Sequence, residues 1–281
     1  MFKQKIGISV GYNYSIPAPE VVKMLKTIGF DAISPEWRDG PELAEVIETA
    51  REVGMIVESI HAPFWNAAAL WSSNENVGNP AREEQLKALE DCKKWNVPTM
   101  VVHTWIGFEY KFDAAALYFG NFDEIVAKAE EYGITIAFEN VEGEEYLAAL
   151  MDRYQANKTV GFCWDSGHEM CYNRSQDLLA QYGDRLVVTH LNDNLGIGRF
   201  DGSLFWTDDL HLLPYDGIAD WDYNIERLKK SRKLDVLNFE LTIASKPNRH
   251  ENDLYQQMSL EVFFTEVYKR ACRIAYRYAR G

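Results

Sequence analysis

The residues of this 281-residue chain that could do chemistry are concentrated at the ends of short apolar runs. Five of the six histidines end such a run or follow one closely: His61, His103, His168, His190 and His211. Acidic side chains lie at the ends of three runs, as Glu139, Asp165 and Glu240. Imidazole and carboxylate groups in such places are costly unless they are paired or bound to a cation. The pattern therefore predicts a metal site with acid–base chemistry.

A divalent metal ion accounts for this combination of residue types. Three carboxylates that are brought together repel one another and need a compensating cation. Histidines interleaved with carboxylates select Zn, Mn, Co or Fe over Ca or Mg. Each residue alone could instead be a hydrogen-bonded structural residue, a helix cap or an ion-pair partner. Their coincidence behind successive runs favours the metal.

Eight apolar runs must position these residues. They are rich in Val and Ile and mostly do not alternate with polar residues, which is typical of parallel strands buried on both faces. The predicted strands are 5–10, 31–37, 55–63, 99–105, 134–140, 160–166, 186–193 and 236–242. The predicted helices are 19–29, 41–53, 82–95, 122–132, 177–182, 223–231 and 260–278. Long loops are expected at 66–81 and 194–210, and a polar surface connector containing His250 at 243–259.

Alternation of eight strands with helices predicts an α/β fold, a (β/α)8 TIM barrel, formed by residues 1–281 as a single domain. A doubly wound sheet is the competing fold, but the turn after the first strand, Gly11 to Ser15, lacks the glycine-rich fingerprint common there. In a barrel the carboxyl ends of all strands meet on one rim. The histidines and acids should therefore converge at the barrel mouth.

Composition excludes several classes of protein. The 29 basic and 43 acidic residues leave a net charge of −14, which argues against a nucleic-acid binder held by a basic face. No run approaches 18 unbroken apolar residues, so a membrane span is not expected. The four cysteines form no CxxC pair, and the first residues do not resemble a signal peptide. We expect reduced thiols and a cytoplasmic protein.

A series of short motifs resembles a known family. In chain order they are HAPF (61–64), VVH (101–103), FEN (138–140), DSGH (165–168), HLND (190–193), DLH (209–211) and FE (239–240), followed by PYDGIADW (214–221). This order resembles the xylose isomerase-like barrel superfamily, in its sugar phosphate isomerase/epimerase branch. The apurinic endonuclease IV family shares the same barrel. Each motif alone is weak, but the ordered series extends from the third strand to the eighth.

The resemblance implies a set of metal ligands. A core divalent ion would be held by four of the residues above: Glu139, Asp165, His190 and Glu240. His168 would contact substrate or a second metal. Endonuclease-like members have further ligands, and their positions match His61, His103, His168, Asp209 and His211. The chain therefore has residues for one metal ion and for up to three. In many epimerases the positions of His61 and His103 are not histidine.

The four-ligand site suits enolisation of a sugar. A divalent cation polarises a carbonyl and receives the charge that develops when the adjacent carbon loses a proton. Glu139 and Glu240 are predicted to reach in from opposite sides, one removing the proton and the other returning it. Return to the opposite face gives an epimerase, and return to the neighbouring carbon gives an isomerase. His168 is the third predicted catalytic residue.

Aromatic residues suggest a carbohydrate pocket. Trp65 and Trp105 follow the third and fourth strands and could stack on a sugar ring, although packing would explain them equally well. Asp193 is expected to line the same pocket. Arg38 and Arg199 could bind an anion but are expected at the surface. Because no Gly- and Lys-rich phosphate cradle is visible, we favour an unphosphorylated sugar, polyol or glycoside as substrate.

Other functions remain open from the sequence. A keto-polyol dehydratase or related lyase would share the enolising site. A multi-zinc phosphodiesterase of the endonuclease IV type would use the fuller ligand set to activate hydroxide and clamp a phosphate. The acidic net charge argues against such a DNA enzyme. A non-catalytic, metal-dependent sugar-binding protein is a third alternative. Apart from its carbohydrate, the expected partner is a second copy of the chain in a homo-oligomer.

Overall fold

In the computed structural model, which describes residues 4–280, parallel strands form a barrel that is surrounded by helices. The strands are β1 (Lys5–Val10), β2 (Ala32–Pro35), β3 (Ile56–Val57), β4 (Ile60–His61), β5 (Thr99–His103), β6 (Thr135–Glu139), β7 (Val160–Asp165), β8 (Leu186–His190) and β9 (Val236–Phe239). All eight predicted strands are present. The third is divided into β3 and β4 because the ladder is interrupted at Glu58 and Ser59.

The strands close into a complete ring. Two parallel sheets, in the orders β3-β2-β1-β9 and β4-β5-β6-β7-β8, meet along both edges. At one junction Glu36 bridges to His61, and at the other Leu191 bridges to Phe239, both in parallel register. The predicted TIM barrel is therefore confirmed, and the carboxyl ends of its strands share one rim.

Helices follow the strands around the outside of the barrel. They are α1 (Ala18–Ile28), α2 (Pro41–Glu52), α3 (Glu75–Lys94), α4 (Gly120–Tyr132), α5 (Glu144–Arg153), α6 (Ser166–Cys171), α7 (Leu178–Tyr182), α8 (Trp221–Lys230), α9 (Asp253–Gln256) and α10 (Leu260–Ala279). Each of the longer helices buries one apolar stripe against the barrel, as Val21, Val22 and Leu25 do in α1. Within residues 4–280, no helix is both long and apolar enough to cross a membrane.

The helix predictions missed the start of α3 and the whole of α5, α6 and α9. The expected loop 66–81 contains a 3-10 turn, Ala67–Trp71, and the start of α3, because the side chain of Asn74 accepts a hydrogen bond from the backbone N–H of Asn76. The amphipathic helix α5 was not predicted, although its buried residues Leu147 and Leu150 have helical spacing.

The barrel interior below the rim is apolar along the strands that carry most of the candidate ligands. Val101, Ala137, Cys163 and Val188 form a small buried cluster there, separate from the large core between strands and helices. Side chains alternate along a strand, so the residues two positions further on point inward at a higher level. Those residues are His103, Glu139, Asp165 and His190. This apolar cluster thus forms the floor of the polar mouth.

Candidate metal centre at the barrel mouth

Four candidate ligands meet at the centre of the mouth. Ligand atoms of Glu139, Asp165, His190 and Glu240 all lie within 4.8 Å of one another. His190 Nδ1 is 2.9 Å from Glu139 Oε1 and 3.2 Å from Glu240 Oε2. The side chain of Glu139 is fully buried, whereas that of Glu240 is 20% exposed. Glu240 is therefore the more accessible of the two glutamates.

Two further clusters flank this central group. His61 Nε2 and His103 Nε2 each lie 3.3 Å from Glu139 Oε2 on one side. On the other side, Asp209 Oδ1 is 2.8 Å from His211 Nε2 and 3.5 Å from His168 Nε2. The structure thus brings together every histidine and acid that the sequence predicted as a metal ligand. His250 is exposed and pairs with Asp253, outside the site.

Strand register and short local contacts position the ligands. His103 pairs with Glu139 in the β5–β6 register, and Asp165 pairs with His190 in the β7–β8 register. Glu240 directly follows β9, and its N–H donates to Leu191 O. Because neighbouring parallel strands are aligned in this way, residues far apart in sequence lie side by side at one level.

Hydrogen bonds fix the ring nitrogen that two of the histidines present to the site. His61 Nδ1 donates to Ala62 O at 2.8 Å, and His168 Nδ1 donates to Asn140 O at 3.0 Å. A carbonyl accepts only, so in the neutral rings the lone pair is on Nε2, which faces the site. Backbone carbonyls orient metal-binding histidines in the same manner.

The charged groups of the cluster shift one another's pKa values. Burial opposes ionisation of Glu139, but His190 and His103 hold its pKa well below the usual value. Burial also opposes ionisation of Glu240, yet His190 lowers the pKa of this group to about 2. Burial raises the pKa of Asp165, although His168 and His211 oppose the shift. Both glutamates are therefore carboxylates at neutral pH and can accept a proton or bind a cation.

Several buried atoms in the cluster have no hydrogen-bond partner within the described chain: Glu139 Oε2, His190 Nε2, Asp209 Oδ1 and His211 Nδ1. Unpaired buried polar atoms are unusual and need an explanation. His211 also has a left-handed backbone conformation, with φ of 47°, which is strained for a residue other than glycine. Imidazole nitrogens and carboxylate oxygens in this arrangement fit a divalent ion such as Zn or Mn.

The predicted aromatic residues take different positions. Trp65 is 76% exposed and contacts Phe64, whose ring lies between it and His103. Trp105 is half-buried and stacks on Tyr146 at 4.1 Å, so one of its faces is covered. Phe64 therefore contacts His61 and His103, Tyr172 contacts His168, and Trp65 extends beyond Phe64.

Asp193 does not line the pocket, and this prediction is corrected. Its carboxylate is fully buried and accepts hydrogen bonds from the N–H groups of Tyr215 and Ala219 and from Trp221 Nε1, each at 2.8–2.9 Å. It also accepts from the N–H of Asn194. With both oxygens satisfied, Asp193 anchors the loop that leads into α8. The sequence correctly predicted that Asp193 lies near the candidate ligands, but it did not predict the direction of the side chain.

Three charged residues at the mouth were not predicted as site residues. Glu36 bridges to His61 in the barrel ladder. Glu142 is buried and accepts a hydrogen bond from the N–H of Gly107. Lys246 Nζ lies 3.3 Å from Asp209 Oδ2. The end of a strand could have indicated Glu36, but Lys246 lies in a polar segment whose sequence contains no comparable signal.

Comparison with known proteins agrees with the barrel fold. Residues 22–259 match the model of the family described as xylose isomerase-like TIM barrel. An uncharacterised protein of Sinorhizobium fredii, y4fM, is 36% identical over 129 residues, which cover 43% of this chain. The chain matches only 38% of the length of that relative.

Two solved structures share the fold over nearly their whole length. The first is the IolI protein with a bound zinc atom, with a TM-score of 0.75 and 19% identity, covering 96% of this chain and 98% of that one. The second is an L-ribulose 3-epimerase, with a TM-score of 0.74 and 11% identity, covering 99% and 96%. At these identities the similarity establishes the fold.

Proposed function

The chain belongs to the xylose isomerase-like TIM barrel family, and from this premise we propose that it is a divalent-metal-dependent sugar isomerase or epimerase. The observation that supports this proposal is the central group of Glu139, Asp165, His190 and Glu240, with ligand atoms within 4.8 Å of one another. The L-ribulose 3-epimerase that has the same fold acts on a sugar. The substrate that we propose is likewise a small carbohydrate with a carbonyl group.

The same four residues would hold the metal. A divalent ion bound there would polarise a carbonyl and stabilise the negative charge that forms when the neighbouring C–H is deprotonated. A set of three carboxylates and one imidazole is typical of Mn, Zn, Co or Fe. The unpaired Oε2 of Glu139 is consistent with a site that is completed by a cation.

The two glutamates would move the proton. His190 keeps the pKa of both low, so each is a carboxylate able to accept a proton at neutral pH. Glu240, whose side chain is 20% exposed, would meet the substrate from the open side of the mouth. Glu139, fully buried, would act from the floor. A base on each side of the reacting carbon permits removal of the proton from one face and its return to the other.

The charges around the mouth favour an uncharged substrate. Arg38 pairs with Glu42 and lies over the ring of Tyr12, and Lys246 pairs with Asp209. A phosphate group would have to compete with these carboxylates. The exposed ring of Trp65 is instead suited to the apolar face of a sugar. We therefore propose an unphosphorylated ketose, or a polyol or glycoside that carries a keto group.

Proton exchange tests the proposal directly. Metal-loaded protein would be incubated in D2O with neutral ketoses such as L-ribulose or D-psicose, and deuterium at the carbon beside the carbonyl would be followed by NMR. We expect exchange that chelation abolishes and added Mn or Co restores. Exchange that persists in the Glu139→Gln, Glu240→Gln double variant would refute the roles of these residues. A protein that neither binds metal nor catalyses exchange would overturn the proposed function.

A second function is favoured by the two flanking clusters. His61 and His103 on one side, and Asp209 and His211 on the other, could hold further ions for hydroxide activation and phosphate binding. Hydrolysis of bis(4-nitrophenyl) phosphate by zinc-loaded protein, with no proton exchange on ketoses, would favour a phosphodiesterase. Exchange without hydrolysis would favour the isomerase or epimerase.

A further inference from the structure

One cation of the protein itself already lies against the proposed ligand set. Lys246 Nζ is 3.3 Å from Asp209 Oδ2, and both side chains are largely buried, at 22% and 14% exposure. The ammonium also lies 5.8 Å from the centre of the Trp206 ring. Lys246 is therefore held over one oxygen of Asp209, while the other oxygen, Oδ1, faces two histidines.

Asp209, His168 and His211 together have the geometry of a metal subsite. The two imidazole Nε2 atoms are 3.4 Å apart, and they lie 3.5 and 2.8 Å from Asp209 Oδ1. Ligand atoms about 2.0–2.1 Å from a tetrahedral ion are separated by about 3.3 Å. Asp209 Oδ1 has no hydrogen bond, and the Nδ1 proton of His168 is already donated to Asn140 O. We call these three residues the Asp209 subsite.

We propose that Lys246 acts as a built-in cation that keeps the Asp209 subsite from binding a divalent ion tightly. The ammonium neutralises Asp209, which together with the nearby Asp165 gives the surroundings of His168 and His211 their negative charge. A dication on Oδ1 would also be repelled by the ammonium on Oδ2 of the same group, across a few ångströms of largely buried space. The inference rests on the proposed function, because it concerns the number of ions that the same mouth binds.

The alternative role for Lys246 is to connect two loops, and a neighbouring ion pair already does so. Arg249 donates to Asp208 Oδ1 at 2.7 Å and to Thr207 O, and it pairs with Glu251. Arg249 and Lys246 thus join the same two segments, but only Lys246 touches a residue of the subsite. This provides a matched pair of variants, because Arg249→Gln disturbs the loops and leaves Asp209 with its ammonium.

The consequence is a defined metal stoichiometry. With Lys246 present, we expect no more than two tightly bound ions per chain, one in the central group and one beside His61 and His103. Removal of the ammonium in Lys246→Met should add one ion, with an affinity at least tenfold higher than any third ion binds to the wild type. Lys246→Arg keeps the charge and should behave like the wild type.

Equilibrium dialysis against Zn²⁺ followed by elemental analysis tests this inference. Metal-free wild type, Lys246→Met, Lys246→Arg and Arg249→Gln would be compared over a range of free Zn²⁺ concentrations. We expect one additional ion in Lys246→Met only, and its loss when His211→Gln is added to that variant. The second change locates the additional ion in the Asp209 subsite.

Coincident binding curves for the wild type and Lys246→Met would overturn the inference, whatever the number of ions. An additional ion in Arg249→Gln as well would overturn it too, because the loop connection would then be the cause. Either result leaves the proposed function intact if metal-dependent proton exchange persists in the wild type. Loss of the proposed function would appear as absent exchange and an empty central group.

Discussion

Buried carboxylates at the barrel mouth and beneath its loops are accommodated in opposite ways. Asp193 has four N–H donors directed at its two oxygens. Glu139 is equally buried, but its Oε2 has no hydrogen bond and faces two imidazoles at 3.3 Å. The same chemical group thus has a structural role where N–H donors surround it, and in the proposed function it binds a cation where imidazoles and other carboxylates surround it.

Glu58, between β3 and β4, illustrates a third case. Its Oε2 is buried without a hydrogen-bond partner, and none of the described ion pairs includes it. Burial raises its pKa to about 8, with only partial opposition from His190. A carboxyl group with neither donors nor a cation is accommodated by keeping its proton. These three residues show that the role of a buried carboxyl group depends on the groups that contact it and not on its burial alone.

The largest expected effect is that of Glu139→Gln on activity. We expect proton exchange to fall by about 10³-fold, because a general base and a metal ligand are lost together. The free energy of unfolding of the metal-free protein should change by no more than about 1 kcal/mol, since Oε2 has no hydrogen bond to lose. Proton-exchange rates and urea unfolding measure the two effects.

The matched control is Glu109→Gln, which changes an exposed glutamate in the loop after β5. It should retain both activity and stability. A Glu139→Gln variant that retains wild-type metal binding and activity would place Glu139 with the structural carboxylates and remove the contrast with Asp193.

Asp193→Ala should have the opposite profile. Four donors would lose their acceptor in a buried region, which costs about 3 kcal/mol of unfolding free energy. Urea unfolding at fixed pH would measure the loss. Asp193→Asn, which keeps one acceptor oxygen, should lose less. If Asp193→Asn were fully stable but inactive, Asp193 would contact substrate after all, and its assignment as a loop anchor would be wrong.

The smallest expected effect is a change in the pH dependence of stability caused by Glu58→Gln. Between about pH 5 and pH 8 the folded protein retains a proton on Glu58 that the unfolded chain has released, so this group lowers stability as the pH rises. The variant has no such proton. Relative to the wild type, its stability should therefore increase by about 1 kcal/mol per pH unit between pH 5 and pH 8.

Urea unfolding of both proteins at several pH values would measure this difference. A constant difference in free energy from pH 5 to pH 8 would mean that Glu58 is ionised in the folded state. Glu58 would then need a partner that the present contacts do not include. It would belong either with Asp193, which N–H donors surround, or with Glu139, which faces imidazoles.

The fold could be predicted because its signals are local. Each strand is a continuous Val- and Ile-rich run. A run that is buried on both faces can be recognised without knowing which strands lie beside it. The helix α5 was missed although its residues are amphipathic, and the start of α3 was missed because a cap such as Asn74 lies among other turn-forming residues. The ends of elements depend on single hydrogen bonds, which a pattern of hydrophobicity does not contain.

By itself, the sequence determined the barrel, the rim on which the ligands meet and the residue types that favour a divalent metal. These follow from periodicity and from the parallel direction of the strands. Only the tertiary structure decided that Asp193 faces its loop and that Lys246 covers Asp209, a residue 37 positions earlier in the chain. Such pairings depend on side-chain directions and long-range contacts, and these form only when the chain is packed.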